Sequence, residues 1–429
     1  MRLCLVSREY PPLTEYSGGI GRQYGRLAPE LARQGHEVHV ATITDGPGRY
    51  EFVDGVHVHL LREARLDGPL SESRVMVRRA VDVDRLLDKA GPWDVVYAAE
   101  WRGEVVRYAL RSRRAPVVTN LATSLAKVHE VSRAGDGRAT RARSAIQHAI
   151  ERGQAERSDA IVAPSAAILE WAREMWHVDR IPSQVLPNMI DVERTRRLAQ
   201  GDPPDGFPID EPAIVYFGRL ELVKGVDVLV RAMTELWARG HTTRLVLIGH
   251  DTAWGTAESM VTRLKRTAGA HAGRLTFIEN QDSATLFPAL AAATIVVLPS
   301  RWESFSLAAL ESLAVGRPTV VTSVGGVVEF VEDGYNGLVA PPDDHDALAH
   351  AIERLLDDRG LRERLVAGAS ERVQAFDVGA VARRHASYFE QVSRRAPPPE
   401  RTSGRSGLRL RLSGDRARGR PRRAAARSA

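Results

Sequence analysis

The chain has 429 residues, 27% of them charged and 43% hydrophobic, with a single cysteine, Cys4. This length accommodates two domains of ordinary size, and the composition is that of a globular protein, so disordered, collagenous and disulfide-stapled classes are excluded. One cysteine allows neither an internal disulfide nor a cysteine-based metal site, and the expected setting is a reducing, cytoplasmic one.

The net charge of +6 is unevenly spread. From Arg394 to Ala429 there are twelve Arg against Glu400 and Asp415, a tail charge of +10 that leaves −4 for residues 1–393. A basic groove for nucleic acid is therefore not expected in the folded part. The opening MRLCLVSREYPP has too short an apolar run for a signal peptide, and no stretch approaches the roughly 18 apolar residues of a membrane span, so a soluble protein is expected.

In chain order, residues 2–7 read as a strand, followed by the loop REYPPLTEYSGGIG, a helix over 22–34 and a strand over 36–43. Strand, glycine-rich loop, helix and strand make a βαβ unit whose loop amides face a helix N-terminus, a ready anion site. Gly18, Gly19 and Gly21 are explained equally well by a turn that needs positive φ. Further strands are expected at 56–61, 93–101 and 115–124, and helices at 75–89 and 138–157. Asp82-Val83-Asp84 has the spacing of a metal-binding Asp-x-Asp, but a solvated helical face is the better reading. A Pro-, Gly- and Asp-rich interval at 201–212 is the best linker candidate.

The second half begins afresh with a strand at 213–217, Gly218, and a helix from about Val226. Arg219 and Lys224 flank this second anion-binding turn, a planar fork and a point charge suited to a diphosphate; the bland alternative is two solvated surface cations. Strands at 244–250, 274–280 and 294–298 alternate with helices at 258–270 and 283–292. After Pro299 comes the helix of Leu307, Leu310, Leu313 and Val315, apolar nearly all round, with Ser304 or Ser306 as N-cap and Gly316 then Pro318 as stop. Glu311 lies inside it, and a carboxylate so placed is costly unless paired. Either Glu311 pairs with a distant Arg and Glu303 caps the helix, or both carboxylates meet a ligand. Helices at 346–357 and 378–392 follow. The tail is poor in apolar residues and is expected to be disordered; it is either a weak contact for anionic membrane or nucleic acid, or a solubilising extension.

The stretch PSRWESFSLAALESLAVGRP resembles the signature of the family-4 retaining glycosyltransferases (glycosyl transferases group 1), in which two Glu are separated by seven residues. GGIG at 18–21, Gly218-Arg219 with Lys224-Gly225, and PNMID at 187–191 are similar to further motifs of that family. The resemblance covers residues 1–392. It implies an α/β fold of two Rossmann-like domains facing across a cleft (GT-B). Residues 1–205, completed by the helix 378–392, form the acceptor-binding domain, 206–377 the nucleotide-sugar-binding domain, and 393–429 a disordered Arg-rich tail.

It further implies transfer of a sugar from a nucleotide-diphosphate sugar to a hydroxyl acceptor, with no metal and no cofactor beyond that donor. Arg219 and Lys224 then hold the diphosphate, Glu303 the donor sugar and Glu311 the ribose. Gly18, Gly19, Gly218 and the backbone of Ser304, Phe305, Ser306 and Leu307 approach the phosphates. The chain departs from the pattern at Ala122, where the family usually has an acceptor-side histidine, at Met189 for Gly, and at Asn280 for Gly; the nearest histidine is His129. A nucleotide-sugar epimerase of the same fold, a nucleotide-sugar-binding protein without transferase activity, and a tether built around the tail stand as alternatives. The expected location is cytoplasmic, with the tail peripheral at the inner membrane face.

Overall fold

The computed structural model describes residues 1–395 apart from 12, 15–17, 69, 112–113, 133–137 and 253–257, with the backbone alone at 132 and 138–143. The expected disordered tail lies outside the described residues from 396 onward, and Ser393 to Arg395 belong to the last helix instead.

Eight strands form the N-terminal lobe: β1 (Arg2–Val6), β2 (Glu37–Thr44), β3 (Arg49–Val53), β4 (Val56–Arg62), β5 (Val95–Ala99), β6 (Val117–Asn120), β7 (Ala160–Ala163) and β8 (Ser183–Val185). They lie in the order β3-β4-β2-β1-β5-β6-β7-β8, parallel throughout except for the β3–β4 pair. The C-terminal lobe has β9 (Ala213–Phe217), β10 (Arg244–Ile248), β11 (Leu275–Ile278), β12 (Ile295–Leu298), β13 (Thr319–Thr322) and β14 (Leu338–Ala340) in the all-parallel order β11-β10-β9-β12-β13-β14. The central strands read as unbroken apolar runs because helices cover both faces. The chain folds as two α/β Rossmann-like lobes.

Strand order reverses beside β1 in one sheet and beside β9 in the other. Ligands of open α/β sheets lie at the carboxyl ends of strands at such switch points. The loops after β1, β5, β9 and β12 flank these two switch points. The helix Val378–Arg395 returns to the first lobe, where Val381 and Phe389 join its core and the Tyr388 hydroxyl donates to Pro182 O at 3.0 Å.

Several local readings are corrected. The first helix spans Gly19–Arg33, so Gly19 and Gly21 lie inside it, and Gly18 has φ −82°; none of the three needs a left-handed backbone. The edge strand β3 went unread because its exposed Tyr50 and Phe52 give no buried stripe. The helix Arg359–Arg372 was equally hidden, burying only Leu361, Leu365, Gly368 and Ala369 within a charged sequence. Asp84 is not on a solvated face: it is 2% exposed and accepts from Arg107 Nε at 3.0 Å and Arg111 Nη2 at 2.9 Å. Among the described residues no helix is long and apolar enough to cross a membrane.

Candidate functional site

The loop after β9 lies against the loop after β12 because Gly225 has φ +66°, and a Cβ there would sit 1.8 Å from Pro299 O. Only glycine permits both the conformation and the approach. The contact sets Lys224 beside Glu303: Nζ is 2.8 Å from Oε1, which also accepts the Ser300 hydroxyl at 2.7 Å. Arg219 lies 2.9 Å from the Glu221 carboxylate, and the Tyr216 hydroxyl donates to Arg219 O at 2.7 Å. Gly218, at φ +136°, turns the chain out of β9. Glu303 does not cap the following helix. Ser306 does, accepting from Ala309 N at 3.3 Å with φ 77° and ψ 83°, an uncommon conformation for a residue other than glycine.

Ser304, Phe305, Ser306 and Leu307 thus form a bent entry to the helix Leu307–Val315. The Phe305 ring is buried and stacks on Phe330 with centroids 4.6 Å apart, so that residue has only its backbone for a ligand. Gly19 of the opposite lobe faces the Leu307 side chain; a Cβ there would lie 3.7 Å from Leu307 Cδ1.

Glu311 is fully buried, and the partners it requires come from the other lobe. Arg22 Nη1 donates to Oε2 at 2.8 Å and Arg26 Nη2 to Oε1 at 2.6 Å. Burial alone would push this carboxyl up, but the charges of Arg22 and Arg26 overcome it and hold the group below the usual carboxylate range. Glu311 therefore forms the ion pair that the sequence left as one of two readings. Arg26 Nη1 also donates to Met189 O at 2.8 Å, and Met189, standing where the family has Gly, is itself buried.

The N-terminal side of the cleft is built on hidden carboxylates. Glu9 Oε2 accepts Gly18 N at 2.6 Å and Gly21 N at 3.3 Å, so the Gly18 amide expected to approach phosphate holds the chain's own carboxylate. Burial raises the Glu9 carboxyl, against the pull of those N–H groups and of Arg8 and Arg219. Glu100, at the end of β5, is 1% exposed; Oε2 accepts Ala122 N at 2.7 Å, and Oε1 is buried without a partner among the described residues. Burial pushes its pKa up to about 7 despite several backbone N–H donors. Glu151 accepts Arg102 N and Leu125 N, each at 2.9 Å, and burial with the neighbouring Glu100 charge raises it to about 8. These two carboxylates hold the loop that carries Ala122. His129 does not reach into that role; its Nδ1 lies 3.2 Å from His148 Nε2.

The two loop systems touch. Thr123 Oγ1 and Ser304 Oγ share a hydrogen bond of 2.9 Å, and the Ser165 hydroxyl donates to Ser304 O at 2.5 Å. Ala166 N and Ala167 N, at the start of the helix Ala166–Met175, each donate to the Glu329 carboxylate at 3.0 Å. Lys127 lies 4.3 Å over the Trp302 ring. Sequence reasoning missed Glu9, Arg22, Arg26, Glu100, Thr123 and Glu329: Arg22, Arg26, Thr123 and Glu329 act on partners far away in the chain, and Glu9 and Glu100 on backbone N–H groups that leave no mark in a side chain. The one available signal was the demand of Glu311 for a cation. Among the described residues, two groups of His and carboxylate side chains are close enough to share an ion, Glu37/His39/His57 and Glu235/His345/Asp346, and neither contains an expected cleft residue.

Two Rossmann-like lobes whose switch-point loops meet over a shared cleft are the architecture of the GT-B transferases. The chain belongs to the GT-B glycosyltransferases: residues 18–189 match the glycosyl transferase 4-like domain and residues 202–372 the glycosyl transferases group 1 family. It is 30% identical to a D-inositol 3-phosphate glycosyltransferase of Acidothermus cellulolyticus, over 84% of this chain and 82% of that one. It is 29% identical to a glycogen synthase of Mycobacterium tuberculosis, over 93% and 97% of the two chains. Among solved structures, sucrose-phosphate synthase of Thermosynechococcus elongatus superposes with a TM-score of 0.75 at 23% identity, covering 91% of this chain and 98% of that one.

Proposed function

We propose that the chain is a family-4 retaining glycosyltransferase that moves a sugar from a nucleoside-diphosphate sugar to an acceptor hydroxyl without a metal ion. The observation that carries this reading is the Lys224–Glu303 contact at the β9 switch point, directly beside the Ser304–Thr123 bridge to the opposite lobe. Residues 206–377 hold the donor; residues 1–205 with the helix 378–392 receive the acceptor. Lys224, Arg219 and the backbone amides of Ser304 to Leu307 neutralise the diphosphate as its charge grows, the electrostatic effect expected to dominate. Glu303 fixes the sugar hydroxyls. Glu311 takes the ribose hydroxyls, which requires exchange of its pairs with Arg22 and Arg26. The diphosphate displaces Glu9 from the Gly18 and Gly21 amides and passes Gly19, while Gly218 lets it approach the β9 turn.

The bond from the anomeric carbon to the diphosphate breaks with its electron pair going to the phosphate oxygen. The acceptor oxygen bonds to that carbon from the same face, and its proton passes to the departing oxygen. No protein base is needed, which fits Ala122 in place of histidine. Orientation of the acceptor by the loop around Thr123 is then the main demand on the first lobe.

Incubation with UDP-, GDP- and ADP-sugars and a panel of hydroxyl acceptors tests the reading. UDP-sugars come first, since the structurally similar HepE of Anabaena was solved with UDP and glucose. Acceptor-dependent product with a retained anomeric configuration by NMR is expected. An inverted product overturns the family-4 assignment, donor conversion without acceptor supports the epimerase, and tight donor binding without transfer supports the binding protein. The cytoplasmic, peripheral location is part of the proposal: removing residues 396–429 should leave turnover on a soluble acceptor intact and abolish salt-sensitive binding to anionic liposomes.

A further inference from the structure

Far along the first sheet from the cleft loops, three imidazoles and a carboxylate gather on β2 and β4. His39 stands directly opposite His57 in the parallel register, and His59 is two residues further on β4, on the same face. The His39 and His57 rings stack with centroids 4.5 Å apart and 13° between their planes. Glu37, two residues before His39 on β2, brings Oε1 to 3.0 Å from His39 Nε2. One ligand atom from each of Glu37, His39 and His57 lies within 4.8 Å of the others. Tetrahedral zinc, with bonds of about 2.0–2.1 Å, requires ligand atoms roughly 3.3 Å apart, a spread that small side-chain rotations reach.

Outer partners are also in place. His39 Nδ1 is 2.9 Å from His59 Nε2, and His57 Nδ1 is 2.7 Å from the Tyr50 hydroxyl on β3. The His39 nitrogen turned away from Glu37 thus has a partner that fixes the tautomer, and Tyr50 anchors the His57 ring in the same way, the arrangement that orients ligating imidazoles in metal sites. His39 is 5% exposed, so a cation there would be shielded from bulk water. Since His59 Nε2 can accept from His39 as well as donate to it, a cation can replace the proton that His39 shares with Glu37.

From this geometry we propose that Glu37, His39 and His57 form a binding site for a zinc-class divalent transition metal that clamps the β3–β4 edge onto β2. Two imidazoles and one carboxylate are a zinc donor set and a poor one for magnesium, which prefers oxygen. Arg2 Nε contacts Glu37 Oε1 at 2.8 Å and yields that oxygen to the ion, while keeping its contacts with Pro92 O at 3.2 Å and the Trp93 ring at 4.7 Å. The remaining position is open to water.

The test uses the full chain without a polyhistidine tag, stripped with chelator and titrated with Zn2+ by calorimetry and against a chromophoric chelator. One equivalent should bind and raise the unfolding temperature, with Mg2+ inert. His57→Ala and Glu37→Gln should each weaken zinc about a hundredfold, and Tyr50→Phe, which leaves the ligands intact, about tenfold. His345→Ala, in the other cluster, should change nothing. The proposal falls if the wild-type chain binds zinc no better than His57→Ala, or if His345→Ala is the variant that loses it. Circular dichroism of each variant without metal shows whether the fold is kept; if His57→Ala unfolds, Tyr50→Phe decides.

Discussion

Charge is handled differently on the two sides of the cleft. In the C-terminal lobe the Lys224 and Arg219 side chains keep 23% and 42% of their surface open, and each faces a carboxylate that a ligand can replace. In the N-terminal lobe Glu100 and Glu151 are sealed from solvent and answered by backbone N–H groups, so these carboxyl groups shape a loop and are not offered to a ligand. Under the proposed function, exchangeable ion pairs suit the lobe assigned to the diphosphate, and fixed amide–carboxyl bonds suit the lobe assigned to the acceptor.

The comparison breaks first at Lys224. Lys224→Ala should cost about 3 kcal/mol of transition-state stabilisation, on the order of a hundredfold in rate, with little loss of stability because the pair is partly solvated. Arg219→Ala should follow at similar size. Near-normal turnover in either variant, with the fold intact by circular dichroism, removes the diphosphate role.

Glu311 joins the two sides, and its substitution should register in both stability and binding. Glu311→Gln leaves Arg22 and Arg26 without their counter-charge in a cross-lobe contact, a loss of up to about 3 kcal/mol in urea unfolding. It should also weaken the free nucleoside diphosphate, whereas Glu303→Gln mainly depresses turnover. Equal losses of nucleoside-diphosphate affinity in the two variants, measured by calorimetry, contradict that division of roles. A stability loss without an affinity loss makes Glu311 only a link between the lobes.

The same contrast explains what the sequence made legible. Apolar runs such as those of β9 and β12 gave the α/β alternation, and glycine, lysine and glutamate at their carboxyl ends fell within short stretches that could be read together. Glu311 announced itself as a charge in an apolar helix, yet its partners lie nearly three hundred positions away in the chain, and local periodicity carries no such information. Glu100 and Glu151 gave no signal because a carboxylate that accepts backbone N–H groups leaves no trace in its partner's side chain: Ala122 and Leu125 are bound through their amides. Glu9 was read as part of a loop, although it fills the anion site beside it.

The smallest expected effect concerns those hidden carboxylates. Glu100 is raised to about 7 by burial, so between its unfolded value near 4.5 and that point the folded chain holds a proton that the unfolded chain has lost. Stability from this group therefore falls as pH rises, by about 2 kcal/mol between roughly pH 5 and pH 7. Neutral buried imidazoles oppose this: His39, His59 and His385 are all lowered to about 4, and they destabilise the fold as pH falls below the ordinary histidine range. The net slope of the wild-type chain consequently decides nothing; the difference between wild type and Glu100→Gln does. The glutamine keeps an acceptor for Ala122 N and cannot titrate, so its advantage over wild type should grow toward neutral pH in urea unfolding, with part of the gain coming from relief of the repulsion that helps raise Glu151. A difference that stays flat with pH means that Glu100 ionises in the folded chain as it does in the unfolded one. The loop around Ala122 would then be held by a permanent charge instead of a proton-sharing one.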